Sequence, residues 1–137
     1  MIAQDITDIE RRQADSITEI VAKITGIKAA VIQSRRRDAP IVRARWLVAV
    51  ALRGTGMTYS RTGKAMGLDH GTIMHACQKF HWALKLDRRF RDQAVAIAKL
   101  GWPLKGGAGV LSARGGSVFY TRASNLKRDP ARIKSKN

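Results

Sequence analysis

The side chains best suited to chemistry lie close together, between residues 69 and 81. His75, Cys77 and His81 are zinc-binding types, and Asp69 with His70 is a pair that could serve a nuclease. Cys77 and His81 share one helix face because they are four residues apart, whereas His75 turns away from them. A structural zinc site takes four ligands, and the neighbouring sequence supplies no fourth. We therefore predict no metal site, and we assign Cys77 to the core.

The Asp69–His70 pair has a simpler explanation than nuclease chemistry. An aspartate directly before a helix caps it by accepting hydrogen bonds from the first backbone amides. A histidine in the first turn of such a helix is placed to contact DNA. We therefore predict that the chain is not an enzyme and that it needs no cofactor.

The strongest compositional signal is positive charge. The 137 residues contain 26 Lys and Arg against 10 Asp and Glu, a net charge of +16. The charge is uneven, because residues 1–34 carry −1, residues 35–100 carry +10 and residues 101–137 carry +7. Such an excess favours a polyanionic partner, and double-stranded DNA is the first candidate. The alternative is a solvated basic face without a partner.

The spacing of apolar residues predicts an all-α fold. Steps of three and four from Ile6 to Ile24 indicate an amphipathic helix that ends at Gly26. A short turn is expected at 29–33, and an apolar helix capped by Asp38 should run to about Leu52 as the buried spine. A last helix should begin after Asp87 and end near 101–103. Together these elements predict a helix-turn-helix bundle of about five to six helices.

The composition changes after Pro103, where Gly, Ser, Lys and Arg dominate. We expect a helix-turn-helix domain at residues 1–102 and a flexible basic C-terminal tail at residues 103–137. Ser117–Arg122 could pair briefly as a strand.

The helix-turn-helix is predicted between residues 58 and 85. Thr58 can cap a short helix that Gly67 closes, and Asp69 can cap a longer helix from His70 to about Lys85. A short helix, a tight glycine turn and a longer helix set a recognition helix into the major groove of DNA. The side chains expected to face the groove are His70, Gly71, Thr72, His75, Gln78 and Lys79.

The residue identities in this segment are more specific evidence than its helix-turn-helix pattern. GLDHGTIMHACQKF, residues 67–80, resembles the signature of the C-terminal DNA-binding domain of the bacterial replication initiator DnaA. SRRRDAPIVRARWLVAVAL, which begins at Ser34, resembles the basic loop of that domain and the helix after it. The resemblance covers roughly residues 15–86.

This resemblance implies a role for individual residues. Arg37 in the basic loop would enter the minor groove, where A·T-rich stretches are narrow and strongly negative. Arg45 would contact DNA near the recognition helix, and Tyr59 and Ser60 would touch the backbone or a base edge. The implied base-reading residues are Asp69, His70 and Gly71, and the implied phosphate-binding residue is Thr72. Beside the resemblance, we expect phosphate contacts that supply most of the affinity from Arg35, Arg36, Arg43 and Lys64.

Two departures from the family pattern fall beside the base-reading residues. Family members usually have threonine where Gly71 stands, and they carry an additional Gly-Arg step where this chain has only Leu68. A threonine side chain suits the edge of a thymine. We therefore expect the docking mode to persist while the recognised sequence differs.

The function predicted from these observations is sequence-specific binding of double-stranded DNA. No Gly-x-x-x-x-Gly-Lys-Ser/Thr loop occurs, so we expect a stand-alone regulator of transcription or replication initiation without ATPase activity, from a phage-related element. RNA polymerase or replication proteins are candidate partners, and the oligomeric state stays open. The alternatives are a non-specific architectural nucleic-acid-binding protein and a protein-docking adaptor.

The expected location is cytoplasmic and nucleoid-associated. The first residues, MIAQDITDIERR, show no secretory signal, no apolar run is long enough for a membrane, and one cysteine suits a reducing interior.

Overall fold

The computed structural model describes residues 6–122, which form a helical bundle and a small antiparallel sheet. The helices are α1 Asp8–Thr25, α2 Ala29–Ile32, α3 Ala39–Gly54, α4 Tyr59–Met66, α5 His70–Leu86 and α6 Arg88–Lys99. The strands are β1 Leu104–Lys105, β2 Gly109–Arg114 and β3 Ser117–Arg122. None of the helices in this described part is long and apolar enough to cross a membrane.

Local capping signals define most helix boundaries. The side chains of Thr58, Asp69 and Asp87 each accept a hydrogen bond from a backbone amide three residues later. Gly26 and Gly67 end α1 and α4 in the left-handed conformation, with φ of 78° and 73°. These boundaries confirm the sequence prediction, because a cap needs only neighbouring residues to form.

Asp38 behaves differently from the other predicted caps. It occupies the N-cap position of α3, but its side chain makes no capping hydrogen bond. Its carboxylate instead accepts a hydrogen bond of 2.8 Å from Arg36. The start of α3 therefore relies on Pro40 in its first turn, whose fixed φ suits that position.

Helix α3 is the buried spine of the bundle, as predicted. Six consecutive residues from Leu47 to Leu52 are buried, and α3 packs against α1, α5 and β1. Phe90 of α6 fills the space beside it, with ring centroids 5.9 Å from Phe80 and 6.2 Å from Trp46 in edge-to-face contacts. The helical bundle expected from the apolar spacing is confirmed.

The structure differs from the expected flexible tail over residues 104–122. These residues form the sheet β1–β2–β3, with antiparallel pairing throughout and Leu104 opposite Leu111. Leu104 is fully buried, so the segment contributes to the core. Residues 123–137, the remainder of the predicted tail, lie outside the described part.

Glycine explains why composition concealed this sheet. A Cβ atom on Gly54 would lie 1.8 Å from the carbonyl oxygen of Pro103, and one on Gly106 would lie 2.8 Å from the ring of Phe80. Both glycines therefore allow the sheet backbone to approach the helices closely. Gly115 and Gly116 supply the positive φ values, 58° and 86°, of the hairpin turn between β2 and β3. These glycines, which suggest flexibility in the sequence, are required by close packing and by the hairpin turn.

An ion pair fastens α1 to α4. The guanidinium of Arg61 donates to both carboxylate oxygens of Glu10, at 2.7 and 2.6 Å, and the amide of Thr7 donates to the same carboxylate at 2.9 Å. These hydrogen bonds, led by that from Arg61, lower the pKa of Glu10 from 4.5 to about 2. The pair joins residues 51 positions apart in the sequence.

We expect Glu10→Gln to destabilise the protein in a pH-dependent way. The pKa of Glu10 is lower in the folded state, so its contribution is complete above pH 4.5 and is lost as the pH falls towards 2. The variant should melt about 3 °C below the wild type at pH 7 and at the same temperature near pH 2, by circular dichroism. Glu19→Gln, at an exposed site on the same helix, is the control and should shift melting at neither pH.

Candidate nucleic-acid interface

Helices α4 and α5 meet at a tight turn that only glycine permits. The amide of Leu68 donates to the carbonyl oxygen of Gly63 at 2.8 Å, which folds the turn back onto α4. A Cβ atom on Gly63 would lie 2.4 Å from the carbonyl oxygen of Leu68, far inside van der Waals contact. The angle between the two helices therefore depends on the missing side chain at Gly63.

The first turn of α5 is held by Asp69 and Thr72. One carboxylate oxygen of Asp69, Oδ1, accepts hydrogen bonds from the hydroxyl of Thr72 at 2.7 Å and from its amide at 2.9 Å. These two bonds lower the pKa of Asp69, so it remains a carboxylate. The sequence predicted both residues as DNA contacts, and the structure shows that they orient each other.

The side of α5 that was predicted to face the groove is open to solvent. His70, Gly71, Thr72, His75, Gln78 and Lys79 are all exposed. The opposite side, with Ile73, Ala76, Cys77 and Phe80, is buried in the core. The amphipathic pattern thus places every predicted groove residue on one free surface, and their contacts with DNA stay a prediction.

Gly71 is the one glycine of this surface, and the fold does not require it. A Cβ atom there would meet only the Oδ1 atom of Asp69, at 3.8 Å. This distance is ordinary van der Waals contact, and the φ of Gly71 is not positive. The Cβ atom of a threonine, the residue that the resemblance implies for this position, would therefore fit without moving the backbone.

The basic loop between α2 and α3 is organised by Arg45. Its guanidinium donates to the carbonyl oxygens of Ile32 at 2.8 Å, of Arg36 at 2.6 Å and of Ser34. Partial burial lowers the pKa of Arg45 because desolvation disfavours its charge. These hydrogen bonds show that Arg45 supports the backbone of the loop, and the direct DNA contact that the resemblance implied stays a prediction.

The loop arginines differ in their partners. Arg36 pairs with Asp38 at 2.8 Å, and Arg43 at the start of α3 pairs with Asp87 at 3.4 Å. Arg35 and Arg37 are exposed, and neither forms an ion pair within residues 6–122. The two unpaired guanidinium groups are therefore available to an external anion.

Three of the predicted DNA contacts lie on α4, namely Tyr59, Ser60 and Lys64, and their contacts with DNA stay a prediction. The Tyr59 ring is half-buried, and the guanidinium of Arg53 lies 4.1 Å from its centroid. Arg53 also donates to the carbonyl oxygen of Met57 at 2.6 Å, which fixes the cation over the ring. Ser60 and Lys64, on the same helix, are exposed.

His81 belongs to a contact that the sequence analysis missed. Its Nδ1 atom lies 2.9 Å from the hydroxyl of Tyr120 on β3, and the two rings are stacked. Burial and the charges of Arg122 and Lys85 lower the pKa of His81. Within residues 6–122 no three His, Cys, Asp or Glu side chains are grouped as metal ligands. Only the aromatic strand signal at Ser117–Arg122 hinted at this partner.

Comparison with known proteins decides the identity of this helix-turn-helix. The model of the family described as the bacterial dnaA protein helix-turn-helix matches residues 14–80. Residues 14–80 are a DnaA helix-turn-helix domain. The match runs from α1 to Phe80 of α5, so it includes the basic loop and the turn at Gly67–Asp69.

Three curated DnaA proteins illustrate the similarity. Each is named chromosomal replication initiator protein DnaA. The protein from Bacteroides thetaiotaomicron is 31% identical over 88 residues, which are 63% of this chain and 19% of the relative. The proteins from Xanthobacter autotrophicus and Chloroflexus aurantiacus are 29% and 30% identical, over 69% and 68% of this chain. The chain therefore spans about a fifth of the length of these DnaA relatives.

Proposed function

We propose that this chain binds double-stranded DNA sequence-specifically, with α5 in the major groove and the basic loop in the minor groove. The observation that carries the proposal is the exposed start of α5, His70 to Thr72, within a DnaA helix-turn-helix. Side chains at the start of a recognition helix reach base edges in this motif. Two guanidinium groups of the basic loop, which form no ion pair among residues 6–122, and a net charge of +16 support an anionic partner.

Affinity and choice of sequence come from different residues in this proposal. Arg35, Arg36, Arg43, Lys64 and Lys79 contact phosphates, whereas Arg37 and the first turn of α5 read the site. To bind phosphates, Arg36 and Arg43 must give up their ion pairs with Asp38 and Asp87. The free-energy cost is small, because an exposed ion pair contributes about 0–1 kcal/mol. If about five phosphates are neutralised, a plot of the logarithm of the binding constant against the logarithm of the salt concentration should have a slope near −4 to −5.

The biological role that follows is regulation through occupation of DNA sites. The relatives are named replication initiators, and this sequence of 137 residues has no phosphate-binding loop of its own. Binding without hydrolysis can exclude a full-length initiator from a site or recruit RNA polymerase to it. We therefore propose a regulator of transcription or replication initiation that acts through a binding equilibrium.

Selection from a random duplex library, at physiological salt with excess competitor DNA, tests the proposal. We expect enrichment of one short motif with an A·T-rich flank for Arg37. Arg37→Ala and His70→Ala should each weaken the enriched site about tenfold and random duplex less than threefold, because base contacts confer specificity.

The control for charge is Lys99→Ala, which removes an exposed cation from the last turn of α6. It should leave both affinities unchanged. Recovery of unrelated sequences would instead favour the architectural alternative, which the net charge of +16 by itself also permits. Competition by single-stranded RNA as strong as by duplex DNA would have the same meaning, since an α-helical reader of the major groove prefers B-form DNA.

A further inference from the structure

A half-open groove lies between the second half of α5, helix α6 and the sheet. It encloses about 470 Å³, within the range of ligand-binding clefts. Its walls include Leu84 of α5, Leu111 of β2 and Val118 of β3, and the His81–Tyr120 pair lies at one side. These apolar walls accept an apolar side chain and offer no hydrogen-bond partner to a phosphate or a sugar.

The rim of the groove carries positive charge from three different elements. Lys85 of α5, Arg91 of α6 and Arg122 of β3 line it, and none of its lining residues is acidic. Arg91 donates to the carbonyl oxygen of Leu84 at 3.2 Å, which fixes its position at the junction of α5 and α6. The rim therefore complements an anion that is attached to an apolar group.

The strand beside the groove has an open edge. The sheet order β1–β2–β3 leaves one side of β3 without a paired strand among residues 6–122. β3 is six residues long, contains no proline and exposes 51% of Phe119. Open apolar edges of this kind are templates for an additional strand.

An exposed tryptophan extends the same surface. Trp82 is 56% exposed, its ring centroid lies 5.5 Å from that of His81, and the Lys85 ammonium lies 5.7 Å from it. Both neighbours line the groove. Tryptophan is enriched at the energetic centres of protein interfaces.

We infer that this surface docks an acidic segment of another protein, which adds a strand to β3 and inserts an apolar side chain into the groove. Charge selects this occupant. Residues 123–137 of the chain carry five basic residues and one acidic residue, so they would meet like charge at the rim. A DNA strand would satisfy the rim and leave the apolar walls unfilled. Only an acidic, apolar peptide matches both.

Both ligands can be held by the same helix at once. His70 begins the DNA-facing turn of α5, and His81 lies eleven residues later, about 16 Å along the helix axis. The groove uses Leu84 and Lys85 further on, away from the predicted base-reading residues. The inference goes beyond the proposed function, because it gives the DNA-bound protein a surface for a second partner.

The test is peptide binding to the full chain, followed by fluorescence anisotropy. The probe is a labelled ten-residue peptide that alternates aspartate with leucine or phenylalanine. Three control peptides replace aspartate by lysine, replace the apolar residues by serine, or carry N-methyl groups that block strand pairing. We expect the acidic, apolar probe peptide to bind and the three control peptides not to bind. A saturating concentration of DNA duplex should leave the probe peptide bound.

Two matched variants test the rim. Lys85→Gln with Arg122→Gln should weaken the peptide about tenfold and leave DNA affinity and the folded circular dichroism spectrum unchanged. Arg114→Gln with Lys99→Gln removes two exposed charges elsewhere and should change nothing. Equal weakening by both pairs would reduce the interaction to non-specific attraction and overturn the inference.

Three further outcomes would also overturn it. The first is binding of the N-methylated peptide as tight as that of the parent, and the second is displacement of the peptide by duplex DNA. The third is failure of the wild type to bind while Leu126→Ser with Ile133→Ser binds, since the chain's own C-terminal residues would then occupy the groove. Because DNA affinity is measured separately, none of these results affects the proposed function.

Discussion

Replacing Gly63 with alanine is expected to destabilise the protein by about 2 kcal/mol and to abolish sequence-specific DNA binding. The new Cβ atom would lie 2.4 Å from the carbonyl oxygen of Leu68 and 3.3 Å from the backbone carbon of Asp69. Both contacts are with backbone, so relief requires the turn to move away from α4. Overpacking of this kind costs about 1–3 kcal/mol, which exceeds the gain of up to about 1 kcal/mol from helix propensity.

The loss of sequence-specific binding follows from the same displacement of the turn. The turn carries Asp69, which caps α5 and orients Thr72, so a shifted turn misplaces the start of the recognition helix. Urea unfolding measures the stability, and binding to the selected duplex against random duplex measures specificity. We expect the affinity for random duplex to change by less than about threefold, because phosphate contacts tolerate small shifts better than base contacts.

Gly71→Ala is the matched control. It also adds one methyl group to a helical glycine close to Asp69, but the new Cβ atom would meet only Oδ1 of Asp69, at an ordinary van der Waals distance of 3.8 Å. It should raise stability by about 0.5–1 kcal/mol, since alanine is the better helix former. If the two variants destabilised the protein equally, the close approach at Gly63 would not be what sets the turn.

The second large effect is expected at Arg45. Arg45→Ala removes the donor that joins the carbonyl oxygens of Ile32, Ser34 and Arg36, so the basic loop loses its internal support. We expect about 2 kcal/mol lower stability, since each hydrogen bond from a charged group contributes about 1.5–3 kcal/mol and part of this site is solvated. We also expect about tenfold weaker binding of the selected duplex, because Arg37 is no longer presented in a fixed position.

Arg45→Lys separates a positioning role from a direct DNA contact. Lysine keeps the charge, but its single ammonium cannot reproduce the planar fork that reaches three carbonyl groups. A positioning role predicts that lysine behaves like alanine and that the amides of residues 35–37 exchange hydrogen faster in both variants. Wild-type exchange together with near-normal affinity in Arg45→Lys would instead support the contact that the family resemblance implied.

The sequence by itself determined the helices, because their signals are local. Thr58, Asp69 and Asp87 cap helices through amides three residues away, and Gly26 and Gly67 end them. The spacing of the apolar residues identified the side of α5 that faces the core, and the predicted groove residues lie on the other side. The residue identities at positions 67–80 also indicated the family that the comparison found.

The sheet, the groove and the partners of the charged residues were decided only by the tertiary structure. Leu104 joins the core because Gly54, fifty residues earlier, leaves room for the backbone at Pro103. The hydrogen bond between His81 and Tyr120 spans 39 residues, and the ion pair between Glu10 and Arg61 spans 51. A residue's own neighbourhood in the sequence cannot specify such contacts, because they depend on which elements the hydrophobic core brings together.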